Sequence, residues 1–449
     1  MENTQKRVTF GGKISAVLVA AGSAVGLGNI WRFPYVAGEN GGGAFLIIYI
    51  LCILIMGLPL MIAEFSIGSA SRHNAVGAFR TLGHRRWGGI GYIGILASVL
   101  ILGFYLVVAG WTAEYTIHSL TDDLVRQSDP TFHQRSFEAF IAHPWKPIFY
   151  STLFAVATHI IIVLGVKQGI ERASKVMMPL LFIFLIILAI HSMLMPGGME
   201  GIRFFLTPDF SKVTPSSVLV ALGQAFFSLS IGLGTMITYG SYFKPKTRVQ
   251  DTAIEVSAID TMVAMLAGLM VFPAVFSAGI EPGAGPSLVF ITLPSIFSSM
   301  PLSQLWSSLF FLLLVIAALT STISLHEAIT AYMHEEWKLT RRSAACITTV
   351  LTALLGALAS LSLGILDHWR IAGLNIFDAL DYVTANILLP IGAMLTCLFA
   401  GWCFDKQTFA SQLYPSCQPK PFFGLIRFML RFCCPIIILL IFLHNLGLL

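Results

Sequence analysis

Residues 21–34 read Ala21-Gly22-Ser23-Ala24-Val25-Gly26-Leu27-Gly28-Asn29-Ile30-Trp31-Arg32-Phe33-Pro34, inside an apolar run long enough to cross a bilayer. Lipid offers no water to replace a lost backbone hydrogen bond, so membrane helices keep theirs closed. Three glycines, a proline, an asparagine and an arginine in such a run invite the helix to break. A break at that depth must line a cavity or bind something with the freed groups.

The rest of the chain supplies a scaffold for this break. Only 11% of the 449 residues are charged and mean hydropathy is +0.82, where a soluble domain carries about 25% charged residues. Apolar runs recur at bilayer length, and the ten-residue alternation of a membrane β-barrel is missing. These features predict an all-α polytopic membrane protein. Eleven transmembrane helices are expected at about 13–38, 43–70, 88–120, 148–166, 174–195, 215–242, 252–279, 304–336, 343–365, 374–402 and 422–447.

Lys and Arg cluster on one side of these spans: Lys6, Arg7 and Lys13; Arg72, Arg80, Arg85 and Arg86; Lys167, Arg172 and Lys175; Lys244, Lys246 and Arg248; Lys338, Arg341 and Arg342; and Lys406, Lys420 and Arg427. The other side holds Arg126, Arg135, Lys146, Arg203, Lys212 and Arg370. The basic side reads as cytoplasm, which places the N-terminus inside and the C-terminus outside. The polar N-terminal segment 1–12 has no cleavable signal pattern.

Among the outer loops, 121–147 is a polar excursion without an interpretable motif, and 281–303 is too apolar for a free loop and too short to span. The latter reads as a re-entrant cap over an outer vestibule. The seven cysteines fall in apolar runs or inner loops, so no structural disulfide is expected. No basic stripe interleaved with aromatics suggests nucleic acid. No GxSxG, Walker loop or HExxH suggests an enzyme, and His159, His191 and His326 are scattered.

A second interruption lies at Gly223-Gln224-Ala225-Phe226-Phe227-Ser228-Leu229-Ser230-Ile231-Gly232-Leu233-Gly234. Paired Gly-interrupted segments at matching places in two halves point to an inverted-repeat transporter with its site at the breaks. The implied plan is a 5+5 inverted repeat, 13–195 and 215–402, with broken helices 1 and 6, plus one extra helix at 422–447. The competing explanation is close helix packing through small residues, and Gly22 and Gly26 do have GxxxG spacing.

Ionisable residues within the spans are functional candidates because of their cost in lipid: Arg32, Glu39, Glu64, Asp260, Glu327, Asp378 and Asp381. Arg32 and Asp381 sit toward the outer ends of spans 1 and 10, as a gate or a static pair. Glu64 is expected to accept hydrogen bonds from amides freed at a break. The hydroxyl run Thr320-Ser321-Thr322 lies beside Glu327. Hydroxyls, carbonyls and carboxylates are the oxygen ligands that hard cations take, and freed N–H groups at half-helix N-termini suit a carboxylate.

These motifs, with Glu39-Asn40-Gly41-Gly42-Gly43-Ala44-Phe45, Ile237-Thr238-Tyr239-Gly240-Ser241-Tyr242, Phe290-Ile291-Thr292-Leu293-Pro294 and Leu319-Thr320-Ser321, carry a family resemblance. From Arg7 to the end of the tenth span the chain resembles the neurotransmitter:sodium symporters, in the bacterial amino-acid branch with a leucine-transporter-type fold. The resemblance implies eleven helices, without the family's twelfth, and a place in a bacterial plasma (inner) membrane.

The resemblance implies two Na+ sites. The first would use Ala24, Asn29, Ser228 and Asp260 with the substrate carboxylate. The second would use Gly22, Val25, Ala317, Thr320 and Ser321, with Gly22, Val25, Ala317 and (in the first site) Ala24 offering main-chain carbonyls. Asp260 stands where the family usually has an amide, and its fixed charge implies no chloride requirement.

The substrate site would comprise Ser23, Ala24, Leu27, Gly28, Ile101, Tyr105, Phe227, Ser230, Leu233, Ser321 and Leu325. It carries no charged side chain, which suits a neutral, hydrophobic or aromatic amino acid. Arg32, Gln224 and Asp381 would form the outer gate, with Gln224 bonded to Arg32. Arg7, Tyr242 and Glu335 would form the inner one. The function so implied is sodium-coupled amino-acid import by alternating access. The rival is an amino-acid sensor that binds without transport, and a channel is disfavoured because no ring of filter residues appears. The partners are the amino acid and the lipid bilayer; the oligomeric state is left open.

Overall fold

The computed structural model describes residues 7–121, 131–245, 247–279, 289–414 and 421–445. Arg126, Lys246, Lys420, Cys417 and residues 1–6, 281–288 and 446–447, all used above, lie outside this set.

The described residues are helical throughout apart from turns and two isolated bridges, Gly42 with Pro208 and Ile371 with Leu374. Among them, nine helices are long and apolar enough to cross a membrane: Gly43–Ser71, Arg85–Leu120, Lys146–Val163, Val166–Met193, Val249–Ser277, Ser303–Glu336, Arg341–Leu361, Ile376–Cys403 and Phe422–His444. Lys13–Ala24 and Gly28–Glu39 make a tenth span, bent by 52° at the break. The remaining expected span, 215–242, is divided into Pro215–Ser228 and Thr235–Gly240, each too short to cross alone.

One boundary differs from expectation. The basic stretch Lys167–Lys175 is not a loop. A sharp bend at Gly165 (φ +89°) is followed at once by a wide π turn, Val166–Glu171, that runs into the next helix. Glu171 holds this turn to the start of the first span by accepting from Gly11 N (2.9 Å) and Ser15 Oγ (2.7 Å).

The long helices Arg85–Leu120 and Ser303–Glu336 pack along each other and form the spine. The half-helix Thr235–Gly240 lies against Leu58–Ser71 so closely that a Cβ on Gly68 would sit 1.9 Å from the Ile237 carbonyl oxygen. Large apolar side chains such as Leu54, Phe149, Ile183, Leu354 and Ile436 remain exposed. A water-soluble fold would bury so much apolar surface, whereas lipid covers it here.

At one end of the spine, Phe290 is buried. It stacks parallel to Phe137 of the short helix Phe132–Ala142 (5.4 Å) and edge-on against Trp31, Trp111 and Tyr115. The segments read from sequence as an outer excursion and a cap therefore meet in one aromatic cluster, through their described parts. At the opposite end Phe10 N donates to Tyr242 O (2.9 Å), and the Phe10 ring is buried among Tyr239, Tyr242 and Phe243.

Candidate functional site

The first break is a short extended step. Lys13–Ala24 ends where Val25 turns to ψ 110°, and a π turn over Gly28–Arg32 restarts the helix. Two freed amides find side-chain acceptors: Gly26 N donates to Asn29 Oδ1 (3.1 Å) and Leu27 N donates to the Tyr105 hydroxyl oxygen (3.3 Å). A Cβ at Gly26 would stand 2.3 Å from Ser321 Oγ, and one at Gly28 would stand 2.9 Å from the Phe227 ring. Bare backbone at these two points is what lets the opposite wall close in.

The second break is longer. After Ser228 the chain passes through left-handed Ser230 (φ +51°), Gly232 (+84°) and Gly234 (+75°). Glu64, fully buried, accepts from Gly232 N at 2.7 Å, the role read from sequence. Ser98 Oγ donates to Leu233 O (3.0 Å) and Ser230 Oγ donates to Ser23 O (2.8 Å). The last bond ties one break to the other.

Between the breaks lies a small cavity of about 40 Å³. Its lining includes Ser23, Ala24, Gly28, Ile101, Tyr105, Phe227, Ser230, Leu233, Ser321 and Leu325, all named from sequence. Gly26, Phe226 and Leu389 also line it and were not named. Leu27 instead lines a second, larger cavity of about 350 Å³ on the side of the aromatic cluster. Tyr105 and Phe227 line both and so form the partition. The Ser23 hydroxyl is buried without a hydrogen-bond partner among the described residues.

Two oxygen clusters flank the first break. Asn29, Ser228 and Asp260 are buried together: Asn29 Nδ2 donates to Ser228 Oγ (2.8 Å), Asp260 Oδ1 (2.8 Å) and Asp260 O (3.2 Å). Ser228 Oγ is within 2.9 Å of both Asp260 carboxylate oxygens. Tyr49 joins them, its hydroxyl 3.0 Å from Ser228 Oγ and 3.2 Å from Asp260 Oδ2. Tyr49 was missed because a lone tyrosine in an apolar run gives no signal of its own.

On the other side, Thr320 Oγ1 lies 2.9 Å from Ala317 O and 3.3 Å from Val25 O. Gly22 packs on the same threonine, a Cβ there meeting the Thr320 side chain at 3.5 Å. Among the described residues no cluster of His, Cys, Asp and Glu could hold a transition metal. The clusters are oxygen sets, the chemistry of a hard cation.

At the expected outer gate, Arg32 and Asp381 both line the larger cavity, near enough for their charges to interact but without an ion pair among the described residues. The Arg32 guanidinium lies over the Phe227 ring, 4.9 Å from its centroid. Gln224 does not bond Arg32 as expected; its Nε2 donates to Gly28 O at 2.9 Å. The π turn leaves that carbonyl within reach of the amide, whereas the guanidinium has settled on an aromatic face.

At the inner end Arg7 pairs with Glu335 and lies 4.8 Å from the Tyr242 ring centroid. Asn74 N holds Glu335 from behind (2.8 Å). The Tyr242 hydroxyl donates to Glu327 (2.7 Å), whose carboxylate forks with Arg341. That buried ion pair, rather than the hydroxyl run, satisfies Glu327.

Residues 7–139 and 147–448 match the Sodium:neurotransmitter symporter family. The chain belongs to this family. It is 38% identical to the sodium-dependent transporter YhdH of Bacillus subtilis over 447 residues, 99% of each chain, and 38% identical to a sodium-dependent transporter of Haemophilus influenzae over 99% of each. The bovine sodium-dependent dopamine transporter is 26% identical over 93% of this chain and 66% of its own. The crystal structure of MhsT in complex with L-phenylalanine superposes with a TM-score of 0.90 at 42% identity, covering 98% of this chain and 100% of that one. The fold is that of a sodium:neurotransmitter symporter, and the protein is a membrane-embedded, sodium-coupled transporter of a small molecule.

Proposed function

We propose that this transporter imports a neutral, hydrophobic or aromatic amino acid with sodium, by alternating access around the two breaks. The observation that carries the reading is the cavity between them. It is lined by backbone, apolar side chains, Tyr105 and three serines, has no charged side chain, and includes Ser23, whose hydroxyl has no partner among the described residues. Amide donors near Leu27 and Gly28 with the Tyr105 hydroxyl would take the substrate carboxylate. The carbonyls of Ala24 and Phe227 would take its ammonium. Ile101, Leu233 and Leu325 would surround the side chain. That MhsT was solved with L-phenylalanine supports an aromatic candidate.

Two Na+ sites are proposed at the two oxygen clusters. Val25 O, Ala317 O and Thr320 Oγ1, with Gly22 and Ser321 beside them, would hold one ion. Ala24 O, Asn29, Ser228 and Asp260 would hold the other. Three oxygens already converge on the Asn29 amide nitrogen; turning that amide over would add Oδ1 to the set. Sodium held there would screen substrate and protein carboxylates from each other and fix the first break. The test is competition binding with all proteinogenic amino acids, with and without Na+. Large neutral residues should compete and charged ones should not; competition by Glu or Lys would contradict the cavity reading.

Asp260 brings its own carboxylate to the first cluster, and ionised beside the cation it would balance the charge without chloride. Replacing chloride by gluconate should leave sodium-dependent binding and uptake unchanged. A chloride requirement in uptake would overturn this point.

The inner pair Arg7–Glu335, with Phe10 buried behind it, is proposed to close the cytoplasmic exit. The orientation follows from the basic side of the spans. Arg7→Ala should speed amide exchange over residues 8–12 and weaken sodium-dependent substrate binding severalfold, because the inward-open form gains population. Unchanged exchange would remove Arg7 from the gate.

A further inference from the structure

Two neighbouring helices carry π turns at the same level near the Lys/Arg-rich end of the bundle: Phe399–Cys403 at the end of one span and Met429–Cys433 inside the next. A π turn widens the helix and displaces backbone groups from their usual partners. Gly401 O, in the first turn, accepts from two guanidinium groups: Arg427 Nε at 3.1 Å and Arg431 Nε at 2.6 Å. The contact needs glycine, since a Cβ at 401 would lie 2.8 Å from Arg431 Cγ and 3.1 Å from its Cα.

The arginines are thus held side by side, close enough for their like charges to oppose each other. Neither forms an ion pair among the described residues, and residues 415–420 contain no carboxylate. Asp405, the nearby acid, caps a helix by accepting from Thr408 N and Oγ1 (both 2.8 Å). It is near enough to Arg427 for their charges to interact, which offsets the pair in part and leaves Arg431 without an acid of its own among the described residues. Arg431 lies roughly 14 Å along the helix from Phe422, at 1.5 Å per residue. A charge that far into a span is costly unless it finds an anion or reaches the headgroup layer. The surroundings are amphipathic. Arg431 lies over Trp402, 4.9 Å from its ring centroid, and Trp402, Phe428 and Phe432 form an exposed aromatic rim.

We propose that Arg427 and Arg431 form a binding site for the headgroup of a net-anionic phospholipid, with an acyl chain lying on the Trp402–Phe428–Phe432 rim. The remaining N–H groups of the paired forks would bind the phosphate, the geometry guanidinium matches best. Two positive charges would favour a headgroup with net negative charge over a zwitterionic one. Such a lipid would join the last two described spans at their basic end.

The experiment is native mass spectrometry of the full-length protein in detergent, titrated with phosphatidylglycerol or phosphatidylcholine of identical acyl chains. Wild type should retain phosphatidylglycerol roughly thirtyfold more strongly than phosphatidylcholine, from about 1 kcal/mol for each of the two basic residues at the membrane surface. R427Q/R431Q should lose most of that preference, and R85Q/R86Q, an exposed basic pair, should keep it. Equal retention of both lipids by wild type, an equal loss in R85Q/R86Q, or competition by inorganic phosphate at matched concentration would each overturn the proposal. If the glutamine pair does not fold, amide exchange of wild type decides. Phosphatidylglycerol should protect residues 399–404 and 425–434, and protection confined to other segments would contradict the site.

Discussion

Asn29→Leu is expected to weaken sodium-dependent substrate binding about 10- to 100-fold, the equivalent of one lost hydrogen bond to a charged group. The substitution keeps the side-chain size and removes every polar contact Asn29 makes. Gly26 N would lose its acceptor at the break, and Ser228 and Asp260 would lose a shared donor. In the proposed first Na+ site the loss also removes an oxygen ligand. Titration of substrate affinity against sodium checks it: the curve should shift to higher sodium. An unchanged curve would remove Asn29 from the ion site, even if the variant were less stable.

Glu64→Leu is expected to cost about 1–3 kcal/mol of stability, the penalty of a buried N–H left unpaired, and to loosen the second break. Glu64 is fully buried and its Oε1 is the acceptor for Gly232 N, whose φ of +84° belongs to the left-handed turn that carries the break. Glu64→Gln retains an acceptor oxygen in the same place and should preserve both thermal stability and substrate affinity far better than Leu. Unfolding temperatures and substrate affinities of the two variants side by side separate these roles. If Gln is as damaging as Leu, the carboxylate acts by its charge and not as the holder of Gly232.

The break at 21–34 was legible because three glycines, a proline, an asparagine and an arginine in one apolar run favour an interrupted helix, and Glu64 because a buried carboxylate beside a break has few other uses. The pocket walls followed from motif positions. What sequence could not supply was the direction of each polar group. Gln224 stands near Arg32 in the chain pattern, but its amide reaches Gly28 O. The Asn29 amide turns its nitrogen, not its oxygen, to Ser228 and Asp260. Glu327 was grouped with the adjacent hydroxyls, whereas its partner Arg341 lies across a turn in the next helix.

Phe226 and Leu389 line the cavity only because of how the second break and a neighbouring span rotate, and that rotation has no local signature. Lys167–Lys175 reads as a loop because it is basic. It is helical because Glu171 and a π turn hold it against the first span.

The central claim is that the two breaks form one site through which sodium drives an amino acid across the membrane. Purified protein in liposomes, given an inward sodium gradient, should accumulate a labelled neutral amino acid such as phenylalanine above its external concentration. Accumulation should collapse when the gradient is dissipated. Sodium-dependent binding of the same amino acid with no accumulation under the gradient would contradict transport and leave a sensor.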